Sequence, residues 1–312
     1  MSTEDTRRRE SGGPVSVLAV FGPTASGKSA VAEALADRLR TEIVSADALQ
    51  VYRGLPILTN QPLRPTRLVA IRALDHAMSV GEYAGLAHAA IDEIVGRSGV
   101  AIVAGGTGLY MRAALGELHL PPAPTAGARA RWEAAYDADP CAAHARLRQM
   151  DETAAEMVHP HDRRRVVRAL ELAETGSSLV PPDDRLWAAQ TRRPTLIVGL
   201  EIPPDELERR IIARTDAMFG AGVVEEVHRA RASQVSRTAE KALGLQEIAA
   251  LAPDAARERI ILRTRRYAAY QRKWMRRIPG IVIVDGGRDP AVVADEILEL
   301  LQTAQDDRGA IV

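Results

Sequence analysis

The sequence predicts an α/β fold, a parallel sheet with helices on both faces and an inserted all-helical subdomain. Three observations predict it. Short continuous apolar runs recur along the chain, as in strands buried on both sides. A glycine-containing loop joins the first run directly to a helical pattern, the opening of a βα unit. Between about residues 120 and 190 strand signals vanish, and the borders of that stretch are rich in proline.

In chain order, residues 1–14 (MSTEDTRRRESGGP) are polar and charged and read as a disordered tail. Residues 15–21 (VSVLAVF) form the first strand, GPTASGKS a loop, and AVAEALADRL a helix. TEIVSAD is a second strand that ends at Asp47. EYAGLAHAAIDEIVGR reads as a crossover helix leading to a third, central strand over residues 99–106 (GVAIVAGG). The subdomain at 120–190 holds ARARWEAAYDADP, CAAHARLRQMDETAAEMV and HDRRRVVRALELAETG, all helical in pattern and charged. Residues 195–200 (TLIVGL) and 281–284 (IVIV) are the fourth and fifth strands, with helical and increasingly basic chain over 203–277 between them. The core therefore comprises 15–119 and 191–312, and QTAQDDRGAIV closes it as a frayed tail.

With 312 residues, 46% of them apolar and 26% charged, the composition is that of an ordinary soluble globular protein. A single cysteine, Cys141, excludes a disulfide framework and a multi-thiolate zinc site, and fits a reducing cytoplasm. No apolar stretch is long enough to span a membrane. The seven histidines form no H-E-x-x-H pattern. Net charge is zero, yet unevenly spread: residues 257–277 contain nine Arg or Lys and one Glu, and HDRRRVVR places arginines at 163, 164, 165 and 168. Two such runs favour a nucleic-acid partner. Tyr267, Tyr270 and Trp274 are spaced to share one helix face with the longer run, a surface for phosphates and an unstacked base.

Gly22-Pro23-Thr24-Ala25-Ser26-Gly27-Lys28-Ser29 matches G-x-x-x-x-G-K-[ST] between a strand and a helix, so the core is P-loop NTPase-like. Backbone N–H groups there cradle phosphate oxygens, Lys28 adds a positive charge, and Ser29 is placed to ligate Mg²⁺. The loop selects a di- or triphosphate, not a nucleotide as such. Asp47, at the end of the second strand, either caps the following helix or serves as a general base or metal orienter; spacing does not separate these. In AGGTGLY, Gly105, Gly106 and Gly108 permit close backbone approach and Thr107 offers a hydroxyl. That motif stands where a motor ATPase would carry a Walker B aspartate.

The ordered set GPTASGKS, SADALQVYRG, AGGTGLY, RRRVVRALE, LERRIIARTDAM and RTRRYAAYQRKWMRR resembles the tRNA dimethylallyltransferase (isopentenyltransferase) family from about residue 15 to 285. The resemblance implies transfer of a dimethylallyl group from dimethylallyl diphosphate to N6 of adenine 37 in tRNA, with Mg²⁺ and release of diphosphate. It implies that the helical insertion grips the anticodon stem-loop. By motif, residues 22–29 with Arg210 or Arg214 would hold the diphosphate, and Asp47, Thr107 and Lys28 would be catalytic. Asp47, Ala48, Leu49, Gln50 and Thr107 would touch tRNA. So would Arg129 or Arg131, the run Arg164, Arg165, Val166, Val167 and Arg168, and Tyr267, Gln271 and Trp274 of the terminal signature. After VYRG the family continues with a D-I-G-T-A-K-P-like segment; here LPILTNQP lacks its lysine, and a histidine pair expected next is replaced within RLVAIRALD. The cysteine–histidine zinc finger of some eukaryotic relatives is absent. Prenyl transfer to a free adenine nucleotide, a small-molecule or nucleotide kinase, and a catalytically weak tRNA-binding paralogue are the alternatives. A monomer is expected, since no coiled-coil or self-pairing edge is evident.

Overall fold

The computed structural model describes residues 13–118, 125, 127–180, 186 and 188–309. Most of the N-terminal tail and the proline-rich borders of the insertion therefore lie outside the described residues. The chain divides into two compact units, Met1–Glu117 with Leu186–Val312, and Leu118–Arg185.

The larger unit is built on five parallel strands: β1 (Val17–Phe21), β2 (Ile43–Ser45), β3 (Ala101–Gly105), β4 (Thr195–Glu201) and β5 (Val282–Asp285). Their order is β2-β3-β1-β4-β5, so β1 is central. Every residue of β1 is buried, which explains why it reads as a continuous apolar run rather than an alternating one. On one face Leu18, Val20, Ile102 and Val198 pack under two helices, α1 (Lys28–Leu39) through Val31 and Leu35, and a C-terminal helix (Pro290–Gly309) through Val293, Ile297 and Leu301. The alternate β1 residues Ala19 and Phe21 are also fully buried, so the sheet is covered on both sides.

The C-terminal helix corrects one expectation. QTAQDDRG is not a frayed tail: the helix continues to Gly309, carried by its buried apolar stripe and by a Gln302 Nε2 to Asp306 Oδ1 bond one turn apart (2.8 Å).

Register positions the functional edge. Phe21 lies opposite Gly105 and Ser45 opposite Ala104, so the chain just beyond β1, β2 and β3 emerges at one edge of the sheet. That edge, beyond the strand C-termini beside the central strand, is where ligands bind in open α/β sheets. Helix α2 (Val80–Ser98), capped by Ser79 Oγ accepting from Glu82 N (3.1 Å), supports the edge from behind. Its Tyr83 donates to Ser45 O at 3.0 Å and packs on Tyr110 of α3 (Gly108–Leu115), ring centres 4.3 Å apart.

The smaller unit consists of α4 (Ala128–Ala138), α5 (Pro140–Met150), α6 (Glu152–Met157) and α7 (Arg163–Ala173). Aspartates start the last three: Asp139 accepts from Cys141 N and Ala142 N, Asp151 from Ala154 N, and Asp162 from Arg165 N. Their apolar faces meet around Tyr136, Leu147, Ala154, Val158, Val166 and Leu170. Back in the larger unit, α8 (Pro204–Gly220), α9 (Val223–Arg231), α10 (Leu245–Ala250) and α11 (Pro253–Met275) carry the chain from β4 to β5.

Candidate active site

The loop after β1 wraps the N-terminus of α1. Lys28 Nζ donates to Pro23 O at 3.0 Å, folding the lysine back over its own loop. Desolvation by the cleft walls pushes Lys28 down to about 8; the Asp47 carboxylate opposes that shift and Arg214 adds to it.

Two arginines reach the same loop from α8, where four-residue spacing sets them on one face. Arg214 Nη1 donates to Thr24 Oγ1 at 2.7 Å, while its buried Nε has no partner among the described residues. Burial lowers its pKa, and Asp47 again opposes the shift. Arg210 is held by Glu206, Nε to Oε1 at 2.8 Å. Ser26 Oγ, also in the loop, is buried without a partner among the described residues. A loop lined with cations and unsatisfied polar groups is built for an anion.

Asp47 lies across the cleft. Its Oδ1 accepts from Leu49 N at 2.9 Å; residues 48–51 form a turn and not the expected helix, so the aspartate closes a turn and leaves Oδ2 for other work. Thr107 Oγ1 stands 3.5 Å from Ala48 N and 3.4 Å from Tyr267 Oη. Burial, reinforced by the Asp47 charge, pushes Tyr267 up to about 12, so it stays protonated at neutral pH.

Tyr267 belongs to α11, the helix that locks these loops together. Gln271 is 3% exposed; its Oε1 accepts from Thr24 N at 2.8 Å and its Nε2 donates to Gly106 O at 2.8 Å. One amide thus ties the phosphate loop to the AGGTGLY loop. A Cβ on Gly106 would sit 2.3 Å from Gln271 Nε2, and one on Gly108 2.2 Å from the Trp274 ring. Those glycines are required by close approach rather than by a turn.

Thr24, Ala25, Lys28, Ser29, Asp47, Arg210, Arg214 and Tyr267 line one cleft of about 420 Å³. Leu49 and Gln50 also line it; Gln50 Nε2 donates to Asn60 O at 2.8 Å. The segment that departs from the family pattern forms part of its wall through Leu58, Thr59 and Asn60. Gln61 of the same segment donates to Tyr52 O at 2.7 Å. Nothing in the sequence signalled two further features. Buried Glu226 accepts from Ile57 N and Leu58 N, and Met218, Leu243 and Ile260 line the apolar end of the cleft.

Some expected tRNA-contact positions have other work. Val166 and Val167 are 0% and 3% exposed in the core of the smaller unit, so within residues 164–168 only the arginines offer polar side chains. Arg129 and Arg168 both grip Glu171, which is 1% exposed; burial alone would raise that carboxyl, and the two guanidinium groups hold it below its usual range. Arg131 pairs with Glu174. Arg164 and Arg165 are exposed with no acidic partner among the described residues. Gln271 is occupied by backbone, and Trp274 packs on Gly108. Among the described residues no cluster of three or more His, Cys, Asp or Glu could hold a metal, and no helix is long and apolar enough to cross a membrane.

This geometry coincides with extensive similarity to known proteins. The IPP transferase profile matches residues 50–278, and the isopentenyl transferase profile residues 15–69. A tRNA dimethylallyltransferase of Kineococcus radiotolerans is 38% identical over 93% of this chain and 98% of its own length. One from a Nocardioides species is 41% identical over 85% and 89%. The crystal structure of the tRNA isopentenylpyrophosphate transferase of Bacillus halodurans superposes with a TM-score of 0.69 at 27% identity, covering 95% of this chain and 98% of that one. A match of this extent, across both units and every loop of the cleft, makes this chain a member of the IPP transferase family.

Proposed function

We propose that the protein transfers a dimethylallyl group from dimethylallyl diphosphate to N6 of adenine 37 in tRNA, releasing diphosphate. The observation that carries this reading is the cleft itself: an anion-binding loop with Lys28, Arg210 and Arg214 faces a carboxylate, Asp47, held just beyond β2, the strand on the far side of β3. As the C1–O bond of the donor breaks, positive charge spreads over the allyl fragment and negative charge gathers on the departing diphosphate. Lys28, Arg210, Arg214 and the loop N–H groups neutralise the latter. The exocyclic amine attacks C1, and Asp47 takes its proton as the N6–C1 bond forms. Thr107, beside the Ala48 N–H and the Tyr267 hydroxyl, orients the reacting region.

Mg²⁺ fits this donor set. It prefers oxygen ligands and is commonly held by substrate phosphates with only one or two protein groups, so the absence of a carboxylate cluster among the described residues is no obstacle. The Ser29 hydroxyl, exposed at the start of α1, would hold it, and the ion would supply further charge neutralisation on the diphosphate.

The acceptor's phosphates have two candidate surfaces. On α11, Arg259, Arg266 and Lys273 recur every seven residues, exposed and without acidic partners among the described residues, with Tyr270 54% exposed in the same stripe. On α7, Arg164 and Arg165 are similarly exposed. An anticodon-loop adenine unstacks at low cost, so it can enter a cleft of this size.

The test is incubation with labelled dimethylallyl diphosphate, Mg²⁺, and an RNA hairpin bearing an adenine 3′ of its anticodon, with AMP as competing acceptor. The reading predicts label on the hairpin. Label on AMP alone would assign the chain to free nucleotides, and bound hairpin without label would mark it as a weak paralogue.

A further inference from the structure

The apolar end of the cleft is closed by side chains that the chemistry above does not use. Leu58, Met218, Leu243 and Ile260 line the same cleft as Lys28 and Asp47. Leu58 is 4% exposed, Ile260 1% and Met218 8%. Leu58 and Ile260 close over Gly244 so tightly that a Cβ there would lie 2.8 Å from Leu58 Cδ1 and 3.2 Å from Ile260 Cδ1. Gly244 also has φ +102°, a conformation that disfavours any side chain. The Gly244 backbone and Ile260 thus stand close against Leu58 on that side.

The wall is fixed as well as full. Leu58 N–H donates to Glu226 Oε1 at 2.8 Å and Ile57 N–H donates to Glu226 Oε2 at 2.9 Å. Glu226, on α9, is 2% exposed. A buried carboxylate that accepts two main-chain N–H groups holds its loop firmly, because retreat would strand a charge in the interior.

With the diphosphate on the phosphate loop, a hydrocarbon tail meets apolar lining at Leu58, Met218, Leu243 and Ile260, with Leu49 and Ile211 also on the cleft wall. We infer that Leu58, backed by Ile260 and Gly244 and held by Glu226, is the stop that limits the donor to one five-carbon isoprenyl unit and excludes the ten-carbon homologue. This inference rests on the reading of the cleft as the donor site. A packed wall resists extra methylenes because core side chains cannot move aside without leaving their rotamers.

The experiment compares dimethylallyl and geranyl diphosphate as donors to the RNA hairpin, with wild type, Leu58→Ala and Leu58→Val. Inorganic diphosphate inhibition, which depends on the phosphate loop and not on the wall, reports that each variant is folded. The wild type should favour dimethylallyl diphosphate strongly in kcat/KM. In Leu58→Ala that preference should narrow by about 10-fold or more, chiefly through a lower KM for geranyl diphosphate, with Leu58→Val between. An unchanged ratio in variants that bind diphosphate normally would overturn the inference, as would a wild type that uses both donors equally. If wild type transfers neither donor, the donor-site reading is what fails. The wall is then judged by equilibrium binding of the two diphosphates, where equal affinity counts against it.

Discussion

Asp47 and Lys28 face each other across the cleft and each alters what the other can do. The Asp47 charge keeps a proton on Lys28 that desolvation and Arg214 work to remove, leaving the lysine poised at about 8 rather than near its ordinary 10.5. Diphosphate binding needs the protonated form. Because the pKa is depressed, the charge is present below about 8 and is lost as pH rises through that value. Donor KM should therefore stay flat below neutrality and climb above about pH 8, while kcat changes less, since bound diphosphate restores the proton. A steady-state pH series checks this; a KM that stays flat well into the alkaline range contradicts it. Lys28→Met should remove the pH dependence and cost about 100-fold or more in kcat/KM, the usual scale for a preorganised group that meets developing charge.

At the scale of elements, α11 acts as the clasp of the site. Its Gln271 satisfies Thr24 N and Gly106 O at once, and its Trp274 covers Gly108. Gln271→Ala would leave two largely buried backbone groups without partners, at a cost of about 2–4 kcal/mol in denaturant unfolding. Donor KM should rise with it, because the phosphate loop loses its anchor. Gly108→Ala drives a methyl into the indole ring, so either the yield of folded protein should fall sharply or α11 should shift away from the loop, readable as a change in Trp fluorescence. The strands were legible from their apolar runs and the phosphate loop from its spacing, while Asp47 and AGGTGLY took their roles from the family resemblance. Gln271 was legible only as part of a signature; its role as a strut depends on a partner 247 residues away in sequence, which no local pattern encodes. The same holds for Glu226, whose partners lie 168 and 169 residues earlier. The final helix was misread because QTAQDD has no apolar period of its own; packing of Val293, Ile297 and Leu301 carries helix beyond its propensity.

Across the whole molecule, zero net charge conceals a division of labour among the cations. Many arginines are neutralised locally, as in Arg257 with Asp216, Arg263 with Glu247 and Arg265 with Glu208. Others, including Arg259, Arg266, Lys273, Arg164 and Arg165, face solvent without acidic partners among the described residues. Composition alone therefore understated the case for RNA, and only the pairing pattern separates structural from available charge. Replacing Arg259, Arg266 and Lys273 together by alanine should weaken hairpin binding. It should also flatten the dependence of log K on log salt by about two to three, at roughly 0.7–0.9 for each phosphate no longer neutralised. Arg129→Ala should instead destabilise the smaller unit, because it strips a partner from buried Glu171.

The most direct test of the central claim, that Asp47 accepts the N6 proton beside a diphosphate held by the phosphate loop, is the single-turnover rate of Asp47→Asn with saturating donor and hairpin. Asparagine keeps an oxygen for Leu49 N and removes the basic carboxylate. The chemical step should slow by about 10²–10⁴-fold, with donor and hairpin affinities within a few-fold of wild type. An unchanged rate at saturation would show that Asp47 only shapes the turn, and would contradict the account.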